Sequence, residues 1–106
     1  MQSLEIKGLV VDEQGNPISN AMIVLTGDKN TDVYPGYVHG DSCLVYIMGF
    51  RGEDNANGKF VINADEYSYS ERYYIYVVAD GYDIYKKTLK LSGVEYVDLH
   101  TITLHQ

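Results

Sequence analysis

Three histidines, one cysteine and eleven tyrosines hold most of the side-chain chemistry open to this 106-residue chain. His100 and His105 stand five residues apart, on opposite sides of a regular strand, and His39 lies far from both. A zinc site would need ligands converging from distant loops, so neither a metal nor a cofactor is expected. Cys43 sits in the apolar run Cys43-Leu44-Val45-Tyr46-Ile47-Met48 with no evident base beside it, which makes it a buried, inert thiol. As the sole cysteine it can form no internal disulfide, and the redox compartment cannot be read from it. No G-x-S-x-G elbow, phosphate loop or triad order occurs, and the expectation is a protein without catalytic residues.

The tyrosines admit two uses. Tyrosine forms strands readily and can bury its ring with the hydroxyl wet, which serves sheet packing and edge cover. It also supplies large contact area at low entropic cost, which serves binding. Tyr34, Tyr37 and His39 form the first candidate recognition cluster, and Tyr67 with Tyr69 the second. Tyr74 and Tyr76 are the candidates for a glycan-stacking pair on an outer sheet face. Glu53-Asp54-Asn55-Ala56-Asn57-Gly58 resembles part of a calcium loop, but with Gly58 at position six the twelfth position is Ala64 and the bidentate glutamate is missing. Asn57-Gly58 therefore reads as the turn of a hairpin leading into Lys59-Phe60-Val61-Ile62.

The elements that must position these residues are strands. Apolar residues make up 45%, there are ten glycines, and no 3.6-residue apolar stripe runs through the chain. Leu9-Val10-Val11 and Ala21 to Leu25 flank a connector rich in turn formers, Asp12, Gly15, Asn16, Pro17, Ser19 and Asn20. Gly15 can adopt positive φ and Pro17 biases Asn16 to extended backbone, so the chain reverses and returns as a strand with Ile18 tucked beneath. Leu4, Ile6 and Val10 share a face, and Gly8 breaks the pattern where a bulky ring needs room.

Residues 27–50 form a long excursion, loop-like in its first half and strand-like over Leu44 to Phe50, either functional or only structural. Asn63 to Arg72 reads as a loop or as a single helical turn capped by Asn63. Tyr73 to Ala79, apolar on both sides, is a central strand. Ile84 to Leu91 alternates with Lys86, Lys87 and Lys90 outward, which guards an edge. The alternation of the last strand slips at Asp98-Leu99, so a bulge is expected there.

Gly8, Val10, Asp12, Gly15, Pro17, Ile18, Ala21, Ile23 and Leu25 follow the pattern G-x-V-x-D-x-x-G-x-P-I-x-x-A-x-V-x-L. With Gly58-Lys59-Phe60 and Gly81-Tyr82 further on, the chain resembles the carboxypeptidase regulatory-like domain, a transthyretin-like β-sandwich, everywhere except about residues 27–50. The resemblance implies one domain over residues 1–106, an all-β Greek-key sandwich of about seven strands, with Tyr82 plugging one end of the core. It also implies an exported bacterial module, periplasmic or at the cell surface. The chain opens MQSLEIKG without a basic or apolar leader, and a lipid anchor upstream stays open. Related sandwiches include hydroxyisourate hydrolases, which end in Tyr-Arg-Gly-Ser, and intradiol dioxygenases, which hold iron with two tyrosines and two histidines. This chain ends Thr-Leu-His-Gln, has no histidine before His39, and lacks the histidine pairing.

With fifteen acidic and eight basic residues the net charge is −7, which repels phosphate backbones and anionic lipid. Nucleic acid is therefore not an expected partner, and no membrane insertion by this chain is expected. The functional expectation is a noncatalytic accessory module binding a protein or cell-surface partner. The alternatives are a carbohydrate-binding module using exposed tyrosines and, less well matched, a hydrolase of transthyretin-like fold.

Overall fold

Leu4, Ile6 and Val10 alternate with Glu5 and Lys7, and in the computed structural model they form the buried face of the first strand, β1 (Ser3–Val11). The structure describes residues 3–27, 31–35, 37–39, 44–48, 57–65, 72–90 and 96–106. Eight more strands follow β1: β2 (Met22–Thr26), β3 (Asp32–Tyr34), β4 (Tyr37–His39), β5 (Leu44–Met48), β6 (Lys59–Asp65), β7 (Arg72–Val78), β8 (Tyr85–Lys90) and β9 (Tyr96–Thr103). Of the nine strands among the described residues, seven build two sheets, ordered β6-β1-β9 and β5-β2-β7-β8, while β3 and β4 form a separate ribbon. The protein is an all-β sandwich with Greek-key connections, since β1 and β2, and again β5 and β6, lie in different sheets. All neighbours are antiparallel except β1 and β9.

The main core lies between the sheets, where Leu4, Ile6, Val10, Phe60, Ile62, Ile102 and Leu104 face Ala21, Ile23, Leu25, Tyr73, Ile75, Val77 and Leu89. These positions are apolar or aromatic at strand period two; alternation selects the inward face of β1, whereas β2 and β7 are apolar on both faces. Tyr82 and Ile18 pack against the margin of this core. A second apolar layer, Met22, Val24, Val33, Tyr76 and Val78 with Val38 and Tyr74 beside it, lies between the outer face of the four-stranded sheet and the ribbon. That layer explains why β2 is buried on both sides along its whole length.

The connector after β1 folds as expected and then does something further. The Asp12 carboxylate accepts the N–H of Gln14 at 2.9 Å and of Asn16 at 2.8 Å, and Gly15 takes φ 86°. Pro17 bridges back to Val11, and the Ile18 N–H donates to the Val10 carbonyl at 3.0 Å. The chain then leaves for the opposite sheet, so β1 and β2 meet face to face across the core rather than edge to edge.

Three sequence expectations need correction. Asn57-Gly58 turns the chain, with Gly58 at φ 74°, but among the described residues it closes no hairpin, because the described strand before it, β5, and β6 after it belong to different sheets. Gly58 is required there because the backbone approaches β1: its carbonyl accepts the Val10 N–H at 2.8 Å, and a Cβ would overlap the Val10 carbonyl oxygen. Ala64 and Asp65 continue β6 instead of starting a helical turn, since β1 extends to Ser3 and offers them ladder partners. Residues 27–41 are not loop throughout, for β3 and β4 lie within them.

Other expectations hold. Gly8 makes room for the Phe60 ring, which would stand 2.8 Å from a Cβ at that position. The pairing of β9 on β1 shifts register between Lys7 and Leu9, opposite Asp98 and Thr101, and His100 takes φ 56° in that bulge. β8 is a sheet edge with Lys86, Lys87 and Lys90 exposed. The calcium-like run before Asn57 and Cys43 lie outside the described residues.

Two substitution sets test this packing. Gly58→Ala meets both the left-handed backbone and the Val10 carbonyl and is expected to cost at least about 2 kcal/mol, whereas Gly15→Ala, at similar φ with open space around it, costs about 1 kcal/mol. Equal losses in urea unfolding would contradict the close approach. The Tyr76 hydroxyl is buried with no hydrogen-bond partner among the described residues, so Tyr76→Phe is expected to leave stability unchanged or raise it by about 1 kcal/mol. A fall of the unfolding midpoint in that variant would show that the hydroxyl has a partner.

Candidate recognition surface

The β3–β4 ribbon sorts its side chains by strand alternation. Val33 pairs with Val38, and both point into the second apolar layer. Asp32 pairs with His39 and Tyr34 with Tyr37, which puts these four on the opposite, outward face. The segment folds this way because Asp-Val-Tyr and Tyr-Val-His each place one valine between polar or amphipathic neighbours, separated by Pro35-Gly36. The Thr31 and Thr26 hydroxyls, both buried and 3.3 Å apart, tie the start of the ribbon to β2.

Tyr34 is 54% and Tyr37 52% exposed, and the two rings stand 6.2 Å apart at an interplanar angle of 31°. The His39 ring lies parallel to Tyr37, 7° from coplanar orientation, with centroids 6.3 Å apart. The three residues singled out in the excursion are thus brought into one continuous row. Pro35, bonded to Tyr34, also lines a cleft of about 620 Å3 with Ile18, Ser19, Asn20, Ala79, Asp80 and Tyr82. The aromatic row therefore runs up to a cleft whose polar groups are Ser19, Asn20 and Asp80. Sequence reasoning treated those residues only as turn formers. The available signal was the pair of turns, Ser19-Asn20 and Asp80-Gly81, that must meet at one end of a sandwich.

The other candidates fare differently. Tyr74 and Tyr76 do lie on the outer face of the four-stranded sheet, but Tyr76 is only 5% exposed and Tyr74 half-buried, because the ribbon covers that face. The expected glycan platform is overturned by that cover. The Lys86 ammonium sits 5.2 Å from the Tyr74 ring centre and 5.4 Å from that of Tyr76. Tyr67 and Tyr69 lie outside the described residues.

On the far side of the molecule a groove of about 410 Å3 crosses β6, β1 and β9, lined in part by Lys7, Lys59, Val61, Asp98 and His100. The Lys7 ammonium is 3.9 Å from the Asp98 carboxylate and 5.6 Å from the Tyr96 ring centre. A hydrogen bond donated by the Lys7 ammonium to the Tyr96 oxygen, then the charges of Tyr96 and Asp98, hold the Lys7 pKa above its ordinary 10.5. An upward shift means that the small stabilisation is complete below pH 10.5 and is lost as pH climbs through the raised value. The His100 Nδ1 is 3.7 Å from Asp98, and the His105 Nδ1 is 3.8 Å from Glu13. The three histidines thus have three different neighbours, and among the described residues no three His, Cys, Asp or Glu side chains converge where a metal ion could bind. Among the same residues no helix is long and apolar enough to cross a membrane.

No protein-family model matches the chain, and no curated protein matches it. Among solved structures, the 3-chlorocatechol 1,2-dioxygenase of Rhodococcus opacus 1CP is similar to it, with a TM-score of 0.58 at 11% sequence identity over 99% of this chain and 60% of that one. At that identity the likeness is one of fold alone, and the chain spans about 60% of the length of that enzyme.

If the outward tyrosines serve contact and the inward valines serve packing, their removal has unequal effects on folding. Tyr34→Ala and Tyr37→Ala are each expected to change stability by less than about 0.5 kcal/mol, and Val33→Ala to cost about 1.5 kcal/mol or more. Urea unfolding of the three variants checks this; a tyrosine loss as large as the valine loss would assign the rings to packing.

Proposed function

We propose that this protein is a noncatalytic interaction module that contacts a protein partner through the outward face of the β3–β4 ribbon. The observation that carries the reading is the pair Tyr34 and Tyr37, each more than half exposed, on a ribbon whose other face is buried. Two exposed aromatic rings with an imidazole in line are costly to leave in water and have few rotamers to lose on contact. Anchoring by Val33, Val38 and the Thr26–Thr31 pair supports the surface before any partner arrives. A protein rather than a glycan is favoured because the Tyr34 and Tyr37 rings are tilted by 31° and offer no flat platform. The resemblance to the carboxypeptidase regulatory-like domain supports an exported, accessory role at the periplasm or cell surface.

A displayed library of random peptides, selected on the wild-type protein and counter-screened on Tyr34→Ala/Tyr37→Ala, tests the reading. Enriched peptides are expected to lose at least about tenfold in affinity for the double variant, the range of interface tyrosines. Peptides that bind both proteins equally, or hits confined to a glycan array, would overturn it.

A further inference from the structure

We infer that the ribbon face takes a cationic segment of its partner, with an arginine guanidinium laid on Tyr34 or Tyr37; this rests on the function proposed above. Three other tyrosines already show the chemistry. Lys7 stands over Tyr96, and Lys86 over both Tyr74 and Tyr76, at 5.2 to 5.6 Å. Tyr34 and Tyr37 are more exposed than Tyr96, yet among the described residues no cation lies over either ring. The ribbon itself supplies none, since residues 31–39 contain Asp32 but neither lysine nor arginine. A cation from outside would complete on these two rings what internal lysines complete on Tyr74, Tyr76 and Tyr96.

Charge agrees with that assignment. Asp32 shares the outward face and sits two residues from Tyr34, a separation of roughly 6–7 Å along a strand, within reach of a guanidinium stacked on the ring. Asp80 lines the cleft that adjoins the ribbon tip. A net charge of −7 draws cationic segments in before contact. Arginine fits better than lysine, because its planar group stacks on an aromatic face while its edge donates two parallel hydrogen bonds to a carboxylate.

Hexa-arginine, hexa-lysine and hexa-citrulline peptides, titrated by calorimetry into the intact protein in 150 mM salt, test the inference. Hexa-arginine is expected to saturate and to bind at least about tenfold more tightly than hexa-lysine, with no saturation by hexa-citrulline, whose side chain has similar shape but no charge. Tyr34→Ala/Tyr37→Ala is expected to weaken hexa-arginine at least about tenfold and Asp32→Asn about threefold, while Tyr96→Ala changes nothing. Circular dichroism confirms that each variant folds. The inference falls if hexa-arginine does not saturate, or if its affinity survives loss of both ribbon tyrosines and so belongs to the acidic surface at large. Library peptides that still need Tyr34 and Tyr37 while hexa-arginine fails would sink the cation and spare the ribbon; library peptides indifferent to both tyrosines would sink the ribbon itself.

Discussion

The peptide groups around Val10 hold the two ends of the design together. The Val10 N–H donates to the Gly58 carbonyl, and the Val10 carbonyl accepts the Ile18 N–H, so one residue joins β1 to the start of β6 and to the end of the connector. Both partners must come close, which is why position 58 has no side chain and why the connector turns as tightly as Gly15 and Pro17 permit. Once that junction closes, the connector can only deliver β2 to the facing sheet, and β6 enters beside β1 in register. The core between the sheets then follows from alternation, because each strand already presents its apolar side to the gap.

A consequence of this arrangement is a second surface to cover. β2 and β7 are apolar on both faces, and the three-stranded sheet can bury only one of them. The excursion after β2 supplies the other cover, folding as a short ribbon whose valines seat on Met22, Val24, Tyr76 and Val78. A two-stranded ribbon has two faces, and only one can be buried. Its outward side chains are therefore left exposed by geometry, and in this protein they are two tyrosines, an aspartate and a histidine.

The same constraint separates two kinds of tyrosine. Tyr74 and Tyr76 on the four-stranded sheet are partly or wholly enclosed and carry the Lys86 ammonium of the neighbouring strand over their rings. Those on the ribbon, Tyr34 and Tyr37, are more than half exposed, and among the described residues no lysine or arginine lies over either ring. A surface of this composition is suited to a partner that brings its own positive charge.

Much of the sandwich was legible in residue order. The inward positions of β1, β6 and β9, the room left at Gly8 for Phe60, and the bulge near Leu99 follow from period-two alternation and from where it breaks, which are local properties of a strand. Tyr34, Tyr37 and His39 could be picked out as a group, but not placed, because a three-residue strand carries too short a pattern to reveal itself. What alternation cannot say is which of two apolar faces stays open, since Tyr76 reads the same whether water or a ribbon lies above it. Nor could it say that Asn57-Gly58 joins different sheets, because a turn residue records the bend of the backbone and not the strand waiting beyond it. Those matters were decided by tertiary structure alone, where segments far apart in the chain compete to cover the same apolar surface.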